Sequence, residues 1–187
     1  MVAEAKGLLR KNVLAIRNSL ALKNIEERSK KIEDALFEEE HFKKAKTAAF
    51  YIPKGNEVQT KRMIERAINE GKEILVPVTK EDISMCKFTS FSDLVPGKFG
   101  VPEPEHPAPK DHLAEVVLVP GTVFGLCMHR IGYGKGYYDR YFKKNSKVFK
   151  IGLAYDFQVM DGLPKHEHDI PMDLIITDKR LIKPSKH

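Results

Sequence analysis

Between Pro120 and Arg140 the chain gathers residue types suited to holding an anion. Gly132, Gly134 and Gly136 alternate with Tyr133, Lys135 and Tyr137, and Arg130 precedes them. Glycines at every second position let the backbone fold close around a ligand and turn its N–H groups inward. The helix expected from about Gly136 adds a partial positive charge at its N-terminus, and Arg130 and Lys135 add full ones. A polyphosphate suits that combination. The spacing is neither Gly-x4-Gly-Lys-Ser/Thr nor Gly-x-Gly-x-x-Gly, so it matches neither common nucleotide fingerprint. Two other readings fit the same residues: a purely structural glycine turn, and a tyrosine platform for single-stranded nucleic acid.

Asp139 is the lone acid in this basic stretch. It suits either a Mg2+ shared with phosphates or a local ion pair with Arg140 or Lys143. A second cluster, His166-Glu167-His168-Asp169-Ile170-Pro171-Met172-Asp173, reads as a solvated loop, as a Mg2+ or substrate contact, or as a zinc site. Against zinc, it has no Cys and no helical His spacing, and Pro171 breaks it. Asp173, next to an apolar strand, is the acid expected to face a site at the sheet edge. Glu57 is a third candidate, at a position where a helix cap alone would also explain an acid. Lys6 and Arg10, four apart, share one helix face and by themselves mean little.

These residues need elements to position them. Leu9, Val13, Ile16 and Leu20 stripe one face of a first helix. Asn24 with Glu27 resembles a capping box for a second, with Ile25, Ile32, Ala35 and Leu36 facing inward. Thr47 to Ile52 is an apolar run stopped by Pro53 and Gly55. A capped helix is expected from Asn56–Gln59 to about Gly71, then a strand over Glu73–Val78. Strand, helix and strand in that span make a βαβ unit with parallel pairing. Met85–Ser90 suggests an edge strand, and Val116–Val119, Val148–Tyr155 and Leu174–Thr177 further buried strands. The five prolines of 94–110 predict a loop, neither strand nor helix. A three-layer α/β/α sandwich follows, with a mostly parallel central sheet, helices on both faces and one domain over 1–187.

Composition agrees. The 187 residues are 42% hydrophobic and 31% charged, as in a globular protein with a sizeable core. No stretch has the apolar length of a membrane helix. Arg10-Lys11 interrupts any secretory signal, and Glu4 with the tight helical period favours a core-facing helix over a transit peptide. Cys86 and Cys127 read as small buried residues in a reducing, cytoplasmic setting. The net charge is +6, and residues 129–150 alone account for it. A compact basic patch beside glycines suggests an anion of limited size; nucleic acid stays possible.

The glycine block resembles the signature of the 5-formyltetrahydrofolate cyclo-ligase family, also called methenyltetrahydrofolate synthetases. That signature is a strand ending Val-Pro-Gly-x-x-Phe, then Arg-Leu-Gly-x-Gly-x-Gly-Tyr-Tyr-Asp-Arg. Here it reads Val119-Pro120-Gly121 with Phe124, then Arg130-Ile131-Gly132-Tyr133-Gly134-Lys135-Gly136-Tyr137-Tyr138-Asp139-Arg140. Lys6 and Arg10 are similar to the family's basic pair on its first helix, and Asn56-Glu57 to its substrate acid. Val101-Pro102-Glu103-Pro104 resembles its Pro-Glu-Pro loop, and Ile170-Pro171 with Asp173 its last acid. Gly125 and His129 depart from the pattern, where Asp and Gly are common. The first departure removes a carboxylate, so no metal role is assigned there.

The resemblance implies an ATP- and Mg2+-dependent ligase that closes 5-formyltetrahydrofolate to 5,10-methenyltetrahydrofolate through phosphorylation of the formyl oxygen. Lys6, Arg10, Arg130, Ile131, Gly132, Tyr133, Gly134, Lys135, Gly136, Tyr137 and Tyr138 would bind ATP, with Lys135 and Arg130 catalytic. Asp139 and Asp173 would carry Mg2+. Ile52, Glu57 and Tyr133 would bind the folate. The implied partners are these small molecules, with no nucleic acid or membrane, and the implied state is a monomer. A nucleic-acid-binding module and a different sugar-phosphate or nucleotide enzyme remain the rival readings.

Overall fold

The computed structural model describes residues 1–107 and 114–185. Its main sheet has seven strands: β1 (Thr47–Ala49), β2 (Glu73–Thr79), β3 (Ile83–Lys87), β6 (Val116–Val119), β9 (Phe149–Ala154), β11 (Leu174–Thr177) and β12 (Leu181–Ile182). They lie in the order β12-β11-β9-β6-β1-β2-β3. The inner five are parallel, and both edges are closed by antiparallel strands. Helices α2 (Leu22–Glu38), α3 (Glu40–Lys44) and α4 (Lys61–Asn69) cover one face, burying Ile32, Leu36, Phe42, Met63 and Ile64 against it. On the other face α5 (Tyr137–Lys144) buries Tyr141 and Phe142. This is the expected sandwich.

The chain leaves β1 for β2 on one side and returns to β6 on the other. Such a reversal opens a crevice at the strands' carboxyl ends, where open α/β sheets bind ligands. Two smaller sheets wall this crevice: β7 (Val123–Gly125), β8 (Arg130–Ile131) and β10 (Val159–Met160) in one, β4 (Leu94–Pro96) and β5 (Pro102–Pro104) in the other. Helix α1 (Val2–Asn18) packs Leu9 and Val13 against Val123 and Ile131 of the first.

Several expectations need correction. Residues 94–104 form an antiparallel hairpin, with Val95 opposite Glu103 and Pro96 opposite Pro102. Proline lacks only the donor, and a two-stranded ribbon has outward edges that need none. Pro109 lies outside the described residues. Helix α2 begins at Leu22, two residues before Asn24, because the extended Ala21 offers its carbonyl to the Asn24 and Ile25 N–H groups. Helix α4 starts at Lys61, so Glu57 sits in the loop before it. Ile16 is half exposed and Arg17 beside it is buried. Cys127 is exposed, Cys86 buried.

Candidate active site

The crevice is a cavity of about 670 Å³. One wall is the loop after β8. Gly134 and Gly136 have φ of 93° and 65°, conformations that cost side-chain-bearing residues energy, and Gly136 caps α5 directly. Arg10 reaches from α1 to the Gly132 carbonyl, its Nε donating at 2.8 Å, and its guanidinium lies in van der Waals reach of Gly134, 3.5 Å from where a Cβ would sit. Lys135, at the exposed tip, lies over the Phe99 ring at 5.9 Å.

Arg130 sits deeper, 8% exposed on β8. Its guanidinium donates to the Ile170 carbonyl at 3.2 Å and pairs with Asp139 at 3.2 Å, above the rings of Tyr138 and Phe142. Burial draws its pKa below the ordinary arginine value, and the Asp139 charge opposes that. Asp139 thus pairs with Arg130 across the site; Arg140 turns away to Asp82. Asp139 also accepts the Ile170 N–H at 3.1 Å. Next to Ile170 is Asp169, which pairs with Lys6 at 2.5 Å on the cavity wall. Burial pushes the Asp169 carboxyl up, but Lys6 and the His166 N–H outweigh it and hold the group below its usual range.

The opposite wall carries Glu57, 5% exposed. It accepts the Lys54 N–H at 2.8 Å and the Tyr133 hydroxyl at 2.9 Å. Burial raises its pKa; the Lys54 N–H, Arg17 and Tyr133 counter. Ile52, Tyr51 and the hairpin residues Phe99 and Val101 make this side largely apolar, with Glu103 of the hairpin beside them. Glu103 fixes the hairpin, accepting the Thr79 N–H at 3.0 Å.

Of the residues singled out in the sequence, Lys6, Arg10, Ile52, Glu57, Asp139 and all of Arg130–Tyr138 line one cavity. Asp173 does not. It accepts the Lys150 backbone N–H at 2.7 Å and the Lys150 ammonium at 2.6 Å, at the start of β9. A residue immediately before a parallel strand lies at its amino end, and the cavity is at the carboxyl ends. Asp169, four residues earlier, occupies the position expected of Asp173. The sequence signal for it was that same strand direction. Phe99 and Arg17 were also missed. The hairpin that places Phe99 read as a loop, and nothing local to Arg17 marks it as buried.

Among the described residues no group of three or more His, Cys, Asp or Glu side chains meets as a metal cage. The cavity instead offers two carboxylates, Asp139 and Asp169, flanking the same arginine. Mg2+ commonly takes one or two carboxylates and completes its shell with phosphate oxygens and water, so this donor set fits it.

The family model for the 5-formyltetrahydrofolate cyclo-ligase family matches residues 2–178. The chain belongs to that family. The cyclo-ligase fold is shared with 5,10-methenyltetrahydrofolate synthetase of Aquifex aeolicus, whose NMR structure superposes with a TM-score of 0.85 at 35% identity, covering 97% of this chain and 94% of that one. The synthetase of Mycoplasma pneumoniae gives 0.71 at 28% identity, over 92% and 98%. The probable 5-formyltetrahydrofolate cyclo-ligase of Schizosaccharomyces pombe is 30% identical, over 94% of this chain and 98% of its own. Among the described residues no helix is long and apolar enough to cross a membrane.

Proposed function

We propose that this cyclo-ligase family member converts 5-formyltetrahydrofolate to 5,10-methenyltetrahydrofolate at the expense of ATP, with both substrates in the single cavity. The observation that carries the reading is the cavity's division. One wall is a cationic glycine loop at a helix N-terminus, and the facing wall is a largely apolar pocket in which Glu57 is buried with its carboxylate toward the loop's Tyr133, while Glu103 is spent on the Thr79 N–H. The first suits a triphosphate. The second suits a flat heterocycle whose N–H groups point at Glu57.

An amide oxygen is a poor leaving group, and phosphorylation makes it a good one. The formyl oxygen attacks the γ-phosphorus, and ADP leaves. N10 then attacks the activated formyl carbon, its proton passes to solvent, and phosphate departs with the former formyl oxygen. Phosphoryl transfer asks chiefly for positioning and charge neutralisation. Lys6, Arg10, Arg130 and Lys135 with the loop amides from Ile131 to Tyr138 supply both. Lys135, at the exposed tip of the loop, meets the transferred group, and Arg130 is held behind it by Asp139. Bound Mg2+, on Asp139 and Asp169, would neutralise phosphate charge. Glu57 hydrogen-bonds the pterin edge, with Ile52 and Tyr133 against the ring.

The test is to mix the purified chain with 5-formyltetrahydrofolate and Mg-ATP and follow methenyl absorbance alongside ADP. Equal amounts of both, lost when ATP, Mg2+ or folate is withheld, are expected. Nucleotide binding without chromophore would keep the phosphate loop and reject the folate.

A further inference from the structure

Behind the cavity wall, Arg17 is 2% exposed in the last turn of α1. One terminal nitrogen donates to the Tyr133 hydroxyl oxygen at 2.8 Å, and the other to the Gly121 carbonyl at 3.3 Å. Its Nε is buried with no hydrogen-bond partner among the described residues. A buried cation with an unmatched donor is a poor packing device, since an apolar side chain of similar volume commonly stabilises as well or better. Its backbone is also tied to the folate wall, because Asn56 Nδ2 donates to the Arg17 carbonyl at 3.1 Å.

A guanidinium can only donate, and a phenol has one proton. With its oxygen already accepting from Arg17, Tyr133 sends that proton to Glu57 Oε1 at 2.9 Å. Glu57 Oε2 is held by the Lys54 N–H. We infer that Arg17 is a positioning residue for folate, acting through the Tyr133 hydroxyl to orient the Glu57 carboxylate. The inference rests on the folate reading of Glu57.

The groups facing Glu57 are Arg17 from α1, Lys54 from its own loop, Tyr51 after β1, Tyr133 from the glycine loop and Tyr138 from α5. Burial raises the Glu57 pKa, and Arg17 is among the influences lowering it. Loss of Arg17 therefore moves the pKa further up. Folate capture, which uses the carboxylate, then fails at a higher pH than in the wild type.

The experiment compares Arg17→Met, Arg17→Lys, Tyr133→Phe and the Met/Phe double variant with Glu57→Gln in the full chain. Arg17→Met and Tyr133→Phe should each raise the folate KM roughly tenfold, with smaller changes in kcat and in the ATP KM. Arg17→Met should also move the acid limb of kcat/KM for folate to higher pH. Arg17→Lys, keeping charge and a donor, should recover part of the loss. The double variant should lose less than the product of the singles, because both act on one carboxylate. A lowered melting temperature with unshifted limb and KM would make Arg17 merely structural and overturn the inference. Should Arg17→Met not fold, Tyr133→Phe decides, and an unchanged folate KM there overturns it. An unchanged folate KM in Glu57→Gln would instead overturn the folate reading itself.

Discussion

At the amino ends of the parallel strands, Asp173 accepts the Lys150 N–H and ammonium, and Glu115 accepts the N–H groups of Lys46 and Thr47. At the carboxyl ends, Glu57, Asp139 and Asp169 each keep a face on one cavity, with Arg130 and Lys6 between the two aspartates. Both ends use the same residue types. At the amino end the acids close backbone N–H groups where strands begin, so their hydrogen-bonding capacity goes to the fold. At the carboxyl end cations and acids balance one another around a space, and an anionic ligand or a divalent cation can enter that balance. An acid's place relative to strand direction, more than its neighbours in sequence, separates the two roles.

The largest effect that would sharpen this contrast is expected at the loop tip. Lys135→Ala should cut turnover by about 100-fold or more while leaving the melting temperature at the wild-type value. Unchanged turnover would remove Lys135 from the site. Next come the paired aspartates. Asp169→Asn should weaken the apparent Mg2+ affinity by roughly tenfold, measured by titrating turnover, whereas Asp173→Asn should leave that titration unaltered. If Asp173→Asn moves it and Asp169→Asn does not, the assignment of the two ends is reversed.

Asp173→Asn should appear in stability instead, lowering it by about 1–3 kcal/mol in a urea titration, since it leaves the buried Lys150 without its charged partner. Asp169 should show a stability signature in acid. Its carboxyl is held below the ordinary range by Lys6, so that contribution is complete above the unfolded carboxylate pKa and is lost as pH falls through the folded one. Wild-type and Asp169→Asn denaturation midpoints should therefore converge below about pH 4, and a gap that persists there would show another origin. The smallest effect belongs to Glu115→Gln, about 1 kcal/mol of stability with no change in either KM.

Much of this is legible in the sequence. The glycine loop is local: its turn residues, its cations and the helix after it are contiguous, so residues 130–139 announce their own geometry. The apolar strands and the βαβ unit were readable for the same reason. The hairpin at 94–104 was not, because its prolines signal a loop and only pairing with each other makes them strands. Asp173 was expected to face the site and instead lies at the amino ends against Lys150, as the direction of the strand after it requires. Arg17 was invisible because its importance lies in Tyr133 and Gly121, more than 100 residues away in sequence.

Whether one cavity brings the formyl oxygen to a γ-phosphate held by the glycine loop can be tested directly. Convert 5-formyltetrahydrofolate carrying 18O in the formyl group with unlabelled ATP, and weigh the released phosphate. One 18O per phosphate is the expected result. Unlabelled phosphate, with the isotope found in water, would show that the formyl oxygen never bonded to phosphorus and would contradict the account.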